Sequence, residues 1–172
     1  LFRSSAASDV YKRQELEVDY SFLEEEPSGA MLRIIEPYDC YASSSLSDSH
    51  SCYNLTDGDY TGWKDAGNSC LDETLTFYFD KTYFIEFIVI SNFEKESEFQ
   101  EVDKINGFTI TYPYTESEEN ETTHFLELDN FEQWFDINKS VTEMRFEIFS
   151  NYDAPGTVVC GFQEIRFYGK DA

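Results

Sequence analysis

The stretch Thr74 to Asn92, which reads TLTFYFDKTYFIEFIVISN, decides the fold class of this chain. Leu75, Phe77 and Phe79 recur with period two, which places their side chains on one face of a β-strand. After three residues of a turn-like break, the apolar and β-branched residues resume, and these residue types favour extended structure. The strands that this stretch predicts are Thr74–Phe79 and Tyr83–Ser91.

The same period-two alternation returns in two later parts of the chain. Apolar faces are formed by Phe108, Ile110 and Tyr112, and by Met144, Phe146 and Ile148. No convincing helical period appears anywhere, and Gly- or Pro-containing turn signals separate the short runs. The other predicted strands are Met31–Glu36, Gly107–Tyr112, Thr123–Leu128, Thr142–Ser150 and Gln163–Tyr168. Many short strands joined by turns predict an all-β protein, an antiparallel β-sandwich or barrel.

Charge and length limit what this chain binds. Its 172 residues contain 12 Lys and Arg against 35 Asp and Glu, a net charge of −23. A surface of this sign repels a phosphate backbone and an anionic membrane, so nucleic acid and membrane surfaces are not expected as partners. The longest apolar run within a predicted strand is Phe87 to Ile90, so no membrane insertion is expected either.

We divide the chain into three parts. Residues 1–14 read LFRSSAASDVYKRQ, with no initiating Met, no signal-peptide core and no periodicity, and we interpret them as a non-native scar or a mobile tail. Residues 15–30 form an acidic lead-in that ends near Glu24-Glu25-Glu26-Pro27. Residues 31–172 carry the predicted strands and form one domain, a length that is ample for a hydrophobic core.

The cysteine count and three glycosylation sequons favour an extracellular or cell-surface location in the secretory pathway. The sequons begin at Asn54, Asn120 and Asn138. The four cysteines allow three disulfide pairings, and the sequence does not select one. Cys52 and Cys70 bracket an Asp-rich loop, so one candidate pairing joins them locally and ties Cys40 to Cys160. The alternative is four buried thiols in an intracellular protein.

The Asp-rich loop, NLTDGDYTGWKD at residues 54–65, is a candidate calcium site. Asp57, Asp59, Thr61 and Asp65 supply closely spaced oxygens, the ligands that Ca²⁺ prefers. An EF-hand is excluded because its twelfth position would be Asn68 rather than Glu and no amphipathic helices flank the loop. The alternative is an Asx turn, in which aspartates bind their own backbone and no cation.

Several segments in order resemble a discoidin-like domain. These are Ala42-Ser-Ser-Ser-Leu46, Tyr53-Asn-Leu-Thr-Asp-Gly-Asp59 with Trp63, the strand pair that ends at Ser91-Asn92, and Gly161-Phe-Gln-Glu-Ile-Arg-Phe-Tyr-Gly169. Within this coagulation-factor type C or galactose-binding-like superfamily, the chain most resembles the NADase-type glycan-binding domain. The segments that carry this finer resemblance are Ser91-Asn92-Phe93-Glu94-Lys95 and Asp103-Lys104-Ile105-Asn106-Gly107-Phe108.

The resemblance implies a non-catalytic, eight-stranded jelly roll that binds glycans through loops at one end. It also implies a structural Ca²⁺ held by Asp57, Asp59, Thr61 and Glu164. The chain departs from the family where basic residues are expected after Ser91-Asn92, since acidic residues follow instead. Anionic sugars would meet repulsion there, so the expected ligand is a neutral sugar.

Physical chemistry adds candidate sugar contacts, because sugars bind by stacking on aromatic rings and by hydrogen bonds to polar side chains. The predicted ligand-binding residues are Tyr60, Asn92, Phe93, Lys95, Lys104 and Tyr152. Each loop aromatic could instead cover the end of the sandwich. We expect Trp63 in the core, and we assign no ligand to Trp134, which lies in the cluster Asn130-Phe-Glu-Gln-Trp-Phe135.

Catalysis is not expected. Nothing marks a converging carboxylate pair, and the serines near His50 or His124 lack the context of a catalytic nucleophile. The sequence predicts a glycan-binding accessory domain of a larger extracellular or surface protein. The alternative is a protein-interaction or adhesion module on the same fold, with a protein as its partner.

Overall fold

The structure, a computed structural model, describes residues 31–59, 61–66, 71–91, 103–113, 120–128, 131–152 and 159–172. The predicted segments 1–14 and 15–30 lie outside the described residues. The strands are β1 (Arg33–Ile35), β2 (Asp39–Ala42), β3 (Trp63–Lys64), β4 (Thr74–Ser91), β5 (Asp103–Thr111), β6 (Glu121–Phe125), β7 (Glu132–Tyr152), β8 (Cys160–Phe162) and β9 (Glu164–Asp171). Two short 3-10 turns cover Asp48–His50 and Cys52–Leu55. In the described part of the chain, no helix is long and apolar enough to cross a membrane.

The frame of the molecule is a long antiparallel ribbon of β4 and β7. Their pairing runs from Thr74 opposite Glu147 to Ser91 opposite Glu132, with a register shift between Tyr78 and Tyr83. The prediction of two separate strands here is therefore wrong in one respect. The backbone continues its pairing through the break and forms one strand, because β7 follows β4 on both sides of it.

The ribbon divides the strands into two layers. On the first half of β4 the outer neighbour is β2, and on the second half it is β9, with β1 beyond. The second half of β7 pairs with β5, which in turn pairs with β6 and β8. All pairs are antiparallel except β5 with β8. The predicted all-β, antiparallel, jelly-roll sandwich is confirmed, with this one parallel contact as an exception.

The core lies between the two layers, and the predicted strand faces build it. Leu75, Phe77 and Phe79 are buried, as are the two later sets of alternating apolar residues. Phe77 joins the layers, since its ring lies 5.5 Å from that of Phe146 on β7 and 5.0 Å from that of Phe167 on β9. Burial of such an aromatic side chain contributes roughly 1.5–3 kcal/mol to the stability of the fold.

Three short strands, β2, β3 and β8, were not predicted. They contain two to four residues each, too few to show a period. The predicted Thr142–Ser150 covers only the second half of β7. Its first half includes Glu132, Trp134 and Asp136, whose side chains face solvent, so the apolar signal of a strand is weak there.

The disulfide pairing differs from the candidate pairing. Cys40 on β2 is bonded to Cys52, and their Cα atoms are 6.1 Å apart. A bridge between Cys52 and Cys70, or between Cys40 and Cys160, is therefore wrong. The Asp39–Ala42 strand was not anticipated, and it is this strand that brings Cys40 beside the turn at Cys52. Cys160 is also disulfide-bonded, and the described residues contain no free cysteine.

Candidate functional site

The candidate site is the loop end of the sandwich, which we define as the end where β4 finishes at Ser91 and β7 finishes at Tyr152. We call the register shift between Tyr78 and Tyr83, where β4 passes from one layer to the other, the bend, and Ser91 lies at the far end of β4 from it. Short backbone pairings of β8 with β3 and with β5 cover the loop end. Trp63 pairs with Phe162, and Lys104 pairs with Gly161 from the other side of β8. Loops that leave this end are thus anchored on paired backbone.

Trp63 closes the core at the loop end. Its side chain is 0% exposed, and its indole Nε1 donates a hydrogen bond to the backbone oxygen of Ser44 at 2.8 Å. The prediction that Trp63 is a core residue is confirmed. Because its only polar atom is satisfied by Ser44, the indole can be fully buried and also hold the Ser-rich loop in place.

Asp65 fastens β8 to the loop that follows β3. Its side chain is fully buried, and Oδ1 accepts a hydrogen bond from the backbone N–H of Cys160 at 2.8 Å. In the reverse direction, the N–H of Asp65 donates to the oxygen of Cys160 at 2.9 Å. Sequence reasoning counted Asp65 among the loop oxygens of a cation site. The structure instead gives it a positioning role, which its place after the Trp-Lys strand would not have revealed.

Of the predicted ligand residues, Lys104 and Tyr152 are described, and they are register partners on β5 and β7. Lys104 is only 4% exposed. The hydroxyl of Tyr152 donates to the backbone oxygen of Leu126 at 2.8 Å, and the N–H of Leu126 donates to the oxygen of Asn106 at 2.7 Å. Tyr152 therefore ties the end of β7 to the segment that follows β6, which is in turn bonded to β5. Tyr60, Asn92, Phe93 and Lys95 lie outside the described residues, and their role stays a prediction.

The predicted metal ligands lie in two places that touch. A Cβ built on Gly62 would be 2.8 Å from the Cα of Gln163. The loop that contains Thr61 therefore contacts the residue that directly precedes Glu164. Asp57 and Asp59 are exposed. Asp57 Oδ1 accepts the N–H of Asp59 at 2.8 Å, which is the hydrogen bond of an Asx turn.

The fit to a cation is partial. Glu164 lies 3.5 Å from Arg166 Nε through its Oε1, so its carboxylate already has a cationic neighbour. Among the described residues, no three side chains of His, Cys, Asp or Glu form a group that could hold a metal ion. Backbone and Thr oxygens also serve as calcium ligands. Ca²⁺ therefore stays a prediction, and the residues that would hold it are Asp57, Asp59, Thr61 and Glu164.

Comparisons with known proteins identify the fold. No protein-family profile and no curated protein matches the sequence. Among solved structures, a family 32 carbohydrate-binding module from C. perfringens NanJ in complex with galactose has a TM-score of 0.61 at 15% identity, over 80% of this chain and 98% of that one. A Streptococcus pneumoniae fucose-binding module, SpX-3, has a TM-score of 0.56 at 13% identity, over 78% and 94%.

A third similar structure holds the CBM32-1 and CBM32-2 domains of Clostridium perfringens ZmpB in complex with GalNAc. Its TM-score is 0.61 at 11% identity, over 81% of this chain and 39% of that one. The chain therefore has the discoidin-like, galactose-binding-like fold that its sequence predicted. At these identities the likeness concerns the fold, and the finer resemblance to the NADase-type domain stays a prediction.

Proposed function

We propose that this chain is a non-catalytic glycan-binding module. One observation carries the proposal. The chain overlays on nearly the full length of a galactose-bound module, with 98% of that structure covered. Further support comes from the similarity to a fucose-binding module and to carbohydrate-binding domains in complex with GalNAc. Fold alone does not fix function, so the loop end and its chemistry must supply the rest of the argument.

The loop end offers a rigid base for a sugar site. Buried Trp63 and Asp65 hold the β3 side through hydrogen bonds to Ser44 and Cys160. Tyr152 holds the opposite side through Leu126. Ordered supports of this kind lower the entropy that a loop loses when it binds a ligand. The predicted contacts Asn92 and Phe93 follow directly after β4, which ends at this base.

The ligand we propose is a neutral sugar. The net charge of −23 disfavours anionic sugars over the whole surface. Glutamates at 94, 96, 98 and 101 add negative charge in the sequence that directly follows the predicted contacts. A neutral pyranose depends on ring stacking and hydrogen bonds to its hydroxyls, which this charge does not weaken.

A direct test is calorimetric titration of the chain with galactose, N-acetylgalactosamine and fucose, followed by the Phe93→Ala variant. Loss of a stacking ring should weaken binding about tenfold or more. The matched control is Tyr38→Ala, an exposed aromatic whose backbone N–H donates to Tyr78 beside the bend. Unchanged binding by Tyr38→Ala is expected. Failure of every neutral sugar in a glycan array to bind would remove the proposal.

A protein-interaction module is the second candidate, and exposed apolar side chains favour it. Phe125 on β6 and Phe149 on β7 are both exposed, and their rings meet edge to face at 5.7 Å. Solvent-exposed aromatic pairs are common in protein interfaces. A partner captured by the wild type and lost with Phe125→Ala, without competition from free sugar, would favour this function over glycan binding.

We also propose that the module belongs to a larger extracellular or surface protein as an accessory, non-catalytic part. The disulfide between Cys40 and Cys52 supports an oxidising compartment. Expression with a secretion signal, followed by mass spectrometry with and without reductant, tests this. An intact bridge after secretion is expected, and a fully reduced chain would contradict it. Incubation with glycans should release no new reducing ends.

A further inference from the structure

A second aromatic cluster lies beside the loop end, on the outer face of the layer formed by β1, β9, β4 and the first half of β7. Tyr168 on β9 is the register partner of Phe87 on β4, and Trp134 on β7 lies one step along the same face. The ring of Phe87 is 4.8 Å from that of Tyr168 and 5.0 Å from that of Trp134. The three rings thus form one contiguous group.

Trp134 is the most exposed member of this group, and Phe87 and Tyr168 are partly buried. Its side chain is 60% exposed, and the planes of Trp134 and Tyr168 differ by 19°. Phe87 packs against the indole, and this contact restricts the rotamers of Trp134. A large, rigid and exposed aromatic surface binds ligands with little loss of side-chain entropy.

Fixed polar groups stand beside the indole. Arg166, Val89 and Trp134 form one row across β9, β4 and β7. The guanidinium of Arg166 pairs with Glu132 and has its Nε 3.5 Å from Glu164. Donors and acceptors are therefore held in place next to an exposed ring.

We propose that this outer face is a second saccharide-binding surface, with Trp134 as the stacking ring and the pair of Arg166 and Glu132 as partners for sugar hydroxyls. Stacking of a C–H face on an aromatic ring and hydrogen bonds from preorganised polar side chains are the two requirements of sugar recognition. Both are met here by residues from three adjacent strands.

Charge selects the class of ligand. Glu132, Glu164 and the exposed Asp136 outnumber the two cations that β9 presents on this face, Arg166 and Lys170. An anionic sugar would be repelled, and so would a second copy of this chain, which carries the same net charge of −23.

Size argues against a stable protein interface. Among the described residues of this face, the exposed large apolar side chains are Trp134 and Ile34. A standard protein interface needs roughly 20–30 residues from each side. A neutral oligosaccharide of a few rings matches an exposed patch of this extent.

This surface and the loop end use different aromatic rings, although Glu164 belongs to both and both take the same class of ligand. Phe93 and the other predicted loop contacts play no part in it. The two sites can therefore fail separately, and the experiment must use variants of both.

The experiment is affinity electrophoresis in gels that contain neutral polysaccharides, namely galactomannan, xyloglucan and hydroxyethyl cellulose. Trp134→Ala should raise the dissociation constant for at least one of them about tenfold or more. Tyr41→Ala is the matched control, since Tyr41 is 57% exposed and lies on β2, which pairs with the first half of β4. The retardation of this control should equal that of the wild type. Phe93→Ala should also be retarded like the wild type by the polysaccharide whose binding Trp134→Ala weakens.

Fluorescence gives a second readout, because the chain has two tryptophans and Trp63 is fully buried. Quenching of the emission by acrylamide should be carried by Trp134 and should decrease when galactomannan oligosaccharides are added. Three results overturn the proposal. They are retardation by none of the polysaccharides, loss of retardation in Phe93→Ala but not in Trp134→Ala, and shielding of Trp134 by protein concentration alone.

Discussion

Gly62 lies against the carbonyl oxygen of Phe162, so closely that a Cβ on Gly62 would be 2.4 Å from that oxygen. The same Cβ would be 2.8 Å from the Cα of Gln163. The Asp-rich loop therefore packs directly on the backbone at the junction of β8 and β9, with no side chain between them. Gly62 also has a φ of 68°, a conformation that side chains disfavour. This contact sets the position of the loop that carries Asp57 and Thr61.

Gly62→Ala should destabilise the fold far more than Gly58→Ala. Both glycines have positive φ, at 68° and 73°, but a Cβ on Gly58 would meet nothing within 4 Å. The change at Gly58 should cost about 1–2 kcal/mol for its backbone conformation alone. The change at Gly62 should exceed this by roughly 2 kcal/mol, since backbone atoms must move apart. Urea unfolding of the two variants measures the difference, and equal costs would show that the loop is not seated in this way.

The fold could be predicted because apolar and polar residues alternate clearly along its longest strands. The faces of Leu75 and Phe77, of Phe108, and of Met144 are buried as their period indicates. Trp63 was also correctly assigned to the core. What period reveals is which side of a strand is apolar, and in a sandwich that information places most of the core.

Contacts between distant segments could not be predicted, since they depend on strands too short to have a period. The Cys40 and Cys52 bridge requires the four-residue β2. The buried role of Asp65 requires Cys160, which lies on the three-residue β8. The cluster of Phe87, Trp134 and Tyr168 combines residues of three strands, and no local sequence pattern in any of these strands predicts it.

Removal of the Cys40–Cys52 bridge should lower stability by about 2–3 kcal/mol. The two residues are separated by 12 positions, and closure of a loop of this size restricts the unfolded chain by about that amount. Cys40→Ser combined with Cys52→Ser should therefore unfold at lower urea concentration, with a slope that is equal to or steeper than that of the wild type because the unfolded chain is less restricted. A peptide map without reductant should contain a linked fragment with both cysteines, and a fragment that joins Cys52 to Cys70 would contradict the assignment.

Mild acid should destabilise the protein through His124. Its ring lies between Phe108 at 5.5 Å and Phe135 at 5.2 Å, and its Nε2 is 2.9 Å from the hydroxyl of Thr122. Burial lowers the pKa of His124 below its usual 6.5. The unfolded chain therefore takes up a proton more readily than the folded one. The stabilising effect of neutral His124 is complete above pH 6.5 and is lost as the pH falls below that value toward the lower pKa of the folded state.

The measurement is the unfolding midpoint of the wild type and of His124→Gln between pH 7.5 and 5.5. Gln keeps a partner for the Thr122 hydroxyl but does not titrate in this range. The midpoint of the wild type should fall relative to that of the variant as the pH decreases. Carboxyl groups titrate alike in both proteins, so their contribution cancels. Parallel curves would show that His124 does not couple folding to pH.

Calcium should raise the thermal unfolding midpoint. One substitution can distinguish the two possible roles of Asp57, which are the acceptor of an Asx turn and a ligand of Ca²⁺. Asp57 Oδ1 accepts the N–H of Asp59, a bond that an asparagine at the same position would keep. If Asp57 serves only its Asx turn, Asp57→Asn should match the wild type and EDTA should change neither. If its charge helps to hold Ca²⁺ with Thr61 and Glu164, EDTA should lower the wild-type midpoint by several degrees. The variant should lose that dependence while it keeps the turn. We expect the second result, because the contact of Gly62 with Gln163 places the loop directly beside the strand of Glu164.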